Sequence, residues 1–226
     1  MFPYRIAQLC VFLPLVTVHI TLTIGIAMGN LTACNPYWSD CHSISATGRQ
    51  YPEFFIFKAL LIPTAVFMSA YWLLLHHWLR QMSVAQGKSM MVSGMGIIAS
   101  LALVLYTVTL GAEGEPYALA RRIGVIFYFA LTAFAHLMLL RSLDYLDTQK
   151  LHIVAAQNRL TMIALVLIIT AIVSAALGYF FEEFWTRWEN AYEWWFSLLM
   201  ISMFYQVGLM WRQTRYKGAF TIDVED

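Results

Sequence analysis

Six separate stretches of this chain are each apolar over about twenty residues, the length an α-helix needs to cross the hydrocarbon of a bilayer. They run roughly over Ile6–Met28, Phe54–Leu79, Met90–Leu110, Ala118–Leu140, Leu160–Phe181 and Tyr192–Trp211. In lipid each stretch must satisfy its own backbone hydrogen bonds, which only a helix or a closed barrel achieves. Barrel strands alternate apolar and polar residues, and these runs are continuous. A soluble alternative fails on composition. Of 226 residues, 60% are hydrophobic and 12% charged, about half the charge of an ordinary soluble domain. A globule of this size is too rich in surface to hide so much apolar area. The net charge of +1 offers no basic face for phosphates, so nucleic acid is not an expected partner.

The expected fold is therefore all-α, one polytopic domain over residues 1–226 built as a bundle of six transmembrane helices. An even number of spans places both termini on one side. That side gathers Arg5, Arg80, Lys88, Arg141, Lys150, Arg159, Arg212, Arg215 and Lys217, nine basic residues against five (Arg49, Lys58, Arg121, Arg122, Arg187) opposite. By the positive-inside rule the termini are expected in the cytoplasm. The first span is too long for a signal-peptide core and lacks a small-x-small cleavage site, so it is expected to be retained. Trp38, Trp78, Trp185, Trp188, Trp194, Trp195 and Trp211 fall near span ends, as interfacial anchors do. The acidic end Asp223–Asp226 reads as a solvated terminus.

Cys34 and Cys41 flank a short stretch of the first outer loop, and on an oxidising side they are expected to form a disulfide. A metal reading would add His42, but adjacent Cys and His rarely point at one ion and no fourth ligand is evident. No metal or other cofactor is expected. Cys10 lies inside the first span as a small buried apolar residue.

Charges close to lipid usually mark function or a pairing requirement. Glu53 opens the second span, with Lys58 slightly deeper. Glu113 and Glu115 end the third, Arg121 and Arg122 begin the fourth, Glu182 and Glu183 end the fifth, and Glu193 begins the sixth. In a bundle these would ring an outward-facing cavity. One reading is structural, with charges pairing or reaching the wet interface. The other is a site for a polar lipid head group. There Arg121 and Arg122, in the first turn of a helix, would favour an anion, joined by Arg49. Glu53, Glu113, Glu182 and Glu193 would accept hydrogen bonds from hydroxyls or amines, or serve as general acid or base. Gly111 to Pro116 reads as a turn. His19 and His136 lie within spans and each needs a partner.

The segment Cys41-His42-Ser43-Ile44-Ser45-Ala46-Thr47-Gly48-Arg49-Gln50-Tyr51-Pro52-Glu53 resembles the Ser-x-x-Gly-x-x-x-Pro-Glu entrance to the second span in the damage-regulated autophagy modulator (DRAM) family. That family is related to the fibroblast growth factor receptor-activating protein family and to post-attachment factors for glycosylphosphatidylinositol anchors. Glu193-Trp194 is similar to the Glu-Trp at the start of the last span in the modulator branch. The resemblance implies a six-span fold with Ser43, Ser45, Gly48, Pro52, Glu53 and Glu193 on the non-cytoplasmic side. It also implies an association with lipid remodelling, membrane lipid organisation or autophagy. Relatives often carry histidine between the third and fourth spans; Tyr117-Ala118-Leu119-Ala120 has none, which counts against any histidine-based chemistry.

Three functions fit these observations. The first is a protein that binds or handles a polar membrane lipid, with Ser43, Ser45, Arg49, Glu53, Glu113, Arg121, Arg122, Glu182 and Glu193 as candidate ligand-binding residues. The second is an intramembrane lipid hydrolase or transferase using Glu53 or Glu193, though Ser43 and Ser45 have no recognisable neighbouring base. The third is an accessory subunit with membrane-protein partners. No Gly-x-Ser-x-Gly elbow or Walker loop is present.

Overall fold

The computed structural model describes residues 2–218, so the acidic end lies outside the described residues. Among these, the chain forms six long helices and no strands: α1 (Phe2–Ala27), α2 (Glu53–Gln81), α3 (Gln86–Thr109), α4 (Glu115–Leu143), α5 (Val154–Phe180) and α6 (Glu182–Gln213). Each is long and apolar enough to cross a membrane. A short 3-10 helix, Ile44–Gly48, sits in the loop between α1 and α2.

The helices extend past the apolar windows because each added residue of an established helix gains a hydrogen bond. This moves two starting points. α4 begins at Glu115 rather than after Pro116, since proline suits the first turn, where its missing N–H has no intrahelical partner. Arg121 and Arg122 therefore lie nearly two turns inside α4, away from its free N–H groups. α6 begins at Glu182 rather than Tyr192, with only Phe181 between it and the end of α5, so Glu182 and Glu183 open α6 instead of closing α5. At 32 residues, α6 is about 48 Å long against about 30 Å of hydrocarbon. Its N-terminal turns are free to hold the loop between α1 and α2.

The helices form an arc in the order α4, α3, α2, α1, α6, α5, each packed on the next, while α4 touches α5 and α6 only lightly. The arc wraps a core in which Tyr71, Trp72, Trp78, Trp194, Phe204 and Trp211 are buried. Trp78, Trp194 and Trp211 thus fill the core instead of anchoring at the interface. Small residues allow close approach of the helices, as is common between membrane spans. A Cβ at Gly124 of α4 would lie 2.8 Å from the Tyr106 backbone nitrogen of α3. One at Gly96 would overlap the Trp72 indole.

The expected turn forms over Gly111 to Gly114, while Glu115 and Pro116 belong to the first turn of α4. Gly111 and Gly114 have φ of 78° and 108°, a region glycine enters without steric cost. Two cations meet the C-terminal end of α3 beside it, where carbonyls lack helical partners. Lys58 Nζ donates to Val108 O at 2.8 Å. Arg121 Nη1 donates to Thr109 O at 3.0 Å and Ala112 O at 2.7 Å.

Candidate functional site: a roofed cavity open to the side

The roof is the loop between α1 and α2. A Cys34–Cys41 disulfide closes it, with Cα atoms 5.6 Å apart, so both sulfurs are committed to each other. His42 instead meets Thr32 through Nε2, 3.0 Å from Thr32 Oγ1. The N-terminal turns of α6 hold this loop. Arg187, Asn190 and Trp194 follow helical spacing and so share one face. Arg187 Nη2 donates to Asp40 Oδ2 at 2.8 Å and Nε to Asp40 Oδ1 at 3.1 Å. Asn190 Nδ2 donates to Cys41 O at 2.8 Å, and Trp194 Nε1 to His42 O at 2.9 Å. The Arg187 guanidinium holds the Asp40 carboxyl below its ordinary range by hydrogen bonding to the ionised form.

The segment entering α2 is ordered by its own side chains. Ser43 caps the 3-10 helix, its Oγ accepting from Ala46 N at 3.2 Å. Ser45 Oγ lies 3.2 Å from Ser43 Oγ and accepts from Arg49 Nη2 at 2.9 Å. Thr47 Oγ1 meets Thr21 Oγ1 of α1 at 2.9 Å. Gly48 leaves room for the Phe57 ring. Glu53 is buried, and both carboxylate oxygens accept from Asn30 Nδ2, at 2.9 and 3.1 Å. The serines therefore order the loop itself, Thr47 ties it to α1, and Gly48 and Glu53 tie it to α2. The bond between Tyr51 and Pro52 is cis.

Glu193 occupies a different position. Its Oε2 accepts from the Ile44 backbone N–H at 3.3 Å, joining α6 to the roof. Beneath it is a cavity of about 80 Å³, whose polar lining includes His19, Tyr37, Glu193 and Ser197. The His19 ring is oriented at both nitrogens: Nδ1 lies 2.7 Å from Leu15 O and Nε2 2.9 Å from Tyr37 OH. Because a carbonyl only accepts, Nδ1 carries the proton and Tyr37 donates to Nε2 in the neutral ring. The Ser197 hydroxyl is buried with no hydrogen-bond partner, a deficit worth about 1–3 kcal/mol if nothing satisfies it.

A second space, about 600 Å³, opens sideways where α4 barely touches α5 and α6. Ala133 of α4, Ala164, Leu167 and Ala171 of α5, and Phe196 of α6 are among its walls. Val125, Phe129 and Glu193 line both spaces. The inner cavity and the lateral groove therefore share one carboxyl group, that of Glu193. The groove falls within the usual ligand-pocket range of about 300–1,000 Å³; the cavity has room for only two or three water-sized groups.

The charged span ends do not all line these two spaces. Glu113, Arg122 and Glu182 are exposed, and none lines either space. Arg121 is occupied with the end of α3, and Glu53 with Asn30. Among the sequence candidates, Glu193 alone lines these two spaces. Tyr37 and Ser197 were not legible as site residues. Ser197 lies one turn beyond Glu193 on the same face of α6, and that spacing was the available signal. His136 has an arrangement parallel to that of His19, with Nδ1 2.8 Å from Thr132 O and Nε2 3.1 Å from Tyr71 OH. It is sealed by Trp72 and Phe204 and lines neither space.

Comparison with known proteins gives no match among family descriptions, curated proteins or solved structures.

Proposed function

We propose that this chain is a multi-pass membrane protein that binds a membrane lipid, with the apolar chain in the lateral groove and the polar end at Glu193. The observation carrying this reading is that Glu193, Val125 and Phe129 line both the groove and the inner cavity. The groove lies between helices apolar enough to span a bilayer, so acyl chains are its natural surroundings. The resemblance of the Ser43–Glu53 segment and of Glu193-Trp194 to the DRAM family points the same way, through that family's lipid associations. In the proposed topology both termini are cytoplasmic, supported by the bias of Lys and Arg and by a disulfide suited to an oxidising outer side.

The test is native mass spectrometry of gently extracted protein. Wild type should retain a lipid that Ala133→Phe, which fills the groove, loses. Equal lipid retention by the two would overturn the reading. A second reading, an intramembrane lipid hydrolase, is favoured by the water-sized cavity beside Glu193, where a carboxylate would accept a proton from attacking water. Unchanged ester turnover in Glu193→Gln would exclude it.

A further inference from the structure

Resting on the lipid-binding reading, we infer that the ligand is a phosphate-free lipid whose head carries a free hydroxyl, of the diacylglycerol type. The inner cavity sets this class in three ways. First, its lining includes a carboxylate but, among the described residues, no lysine or arginine. A phosphate there would face the Glu193 carboxyl at close range, while the guanidinium of Arg49, within electrostatic reach of that carboxyl, stays outside the lining. Second, the nearby guanidiniums are engaged elsewhere: Arg121 on the end of α3 and Arg49, exposed, on Ser45. Third, about 80 Å³ accepts a hydroxyl with its carbon, not a hydrated phosphodiester.

The polar groups match a hydroxyl in particular. Glu193 Oε2 takes the Ile44 N–H, and the carboxylate's other oxygen is left to accept from a ligand O–H. Ser197 lies one turn along the same face, and its hydroxyl, buried without a partner, is able to donate to the ligand oxygen. A single alcohol would thereby bridge the carboxylate and the serine, while its acyl chains extend past Val125 and Phe129 into the groove.

The experiment titrates purified protein in nanodiscs with diacylglycerol, with the phosphatidic acid of the same acyl chains, and with the acetylated diacylglycerol. Wild type should bind diacylglycerol at least about tenfold more tightly than either, the discrimination expected of one hydrogen bond to a charged group. In Glu193→Gln, which keeps the side-chain shape, the gap to phosphatidic acid should narrow several-fold. Phosphatidic acid binding wild type as tightly as diacylglycerol would overturn the head-group assignment while leaving lipid binding intact, provided Ala133→Phe weakens both. If Ala133→Phe binds every lipid as wild type does, the groove reading fails and this inference with it.

Discussion

Arg187 and Asp40 form a two-pronged ion pair across 147 residues of sequence, Nε and Nη2 of the arginine on both carboxylate oxygens. The Asp40 backbone N–H also donates to Arg187 O at 2.8 Å. Side chain and backbone together tie the loop carrying Tyr37 and Ile44, two cavity-lining residues, to the N-terminal turns of α6.

This pair makes loop docking dependent on acid. The Asp40 carboxyl in the folded protein titrates below its ordinary 3.8. A depressed carboxyl stabilises the fold at pH above its unfolded value and loses that contribution as pH falls through the folded one. Hydrogen exchange at the Asp40 amide should be equally protected from pH 7 to about 5, after correction for intrinsic rates, and lose protection below about 4. Asp40→Asn should remove the pH dependence. The pair is exposed, so global unfolding should barely change.

Trp194→Phe tests the second tie. Phenylalanine fills most of the space but cannot donate to His42 O. Leaving that carbonyl unpaired should cost about 1–3 kcal/mol, read as a lower unfolding temperature in nanodiscs. A change within error would mean that water satisfies the carbonyl.

Arg121→Ala should destabilise the α3–α4 turn by about 1.5–3 kcal/mol, the worth of hydrogen bonds to a charged donor. Exposed Arg122→Ala should stay within about 0.5 kcal/mol of wild type. Equal losses in the two variants would show that the arginines share a role other than closing α3.

Gly124→Ala and Gly94→Ala form a matched pair. At Gly124 the new methyl meets backbone of α3, which cannot rotate aside, and overpacking of this kind costs about 1–3 kcal/mol. At Gly94 nothing lies within 4 Å, and the gain in helix propensity should stabilise by up to about 1 kcal/mol. Unfolding of both in nanodiscs should shift in opposite directions.

The six helices long and apolar enough to cross a membrane were legible in the sequence because each is a continuous apolar run, whatever its neighbours. The disulfide between Cys34 and Cys41 was legible because the two lie close along the chain, and the turn at Gly111 to Gly114 because its chemistry is local, although Glu115 and Pro116 already open α4. The need of His19 and His136 for partners was visible too, although Tyr37 and Tyr71 were not, since each comes from a distant segment. The early start of α6 was hidden by its polar first turns, which an apolar window passes over.

What the sequence alone determined is the set of membrane-length helices and the polarity of their ends, both properties of single segments. Tertiary structure decided which charges are occupied and which is left facing a ligand-sized space. Glu53 and Glu193 look alike at their span ends, but Asn30 takes both oxygens of one, while the other receives one N–H from Ile44 and borders two spaces. That difference depends on packing order around the arc. The weak contact of α4 with α5 and α6 leaves the groove, and no single helix encodes where its neighbours stop.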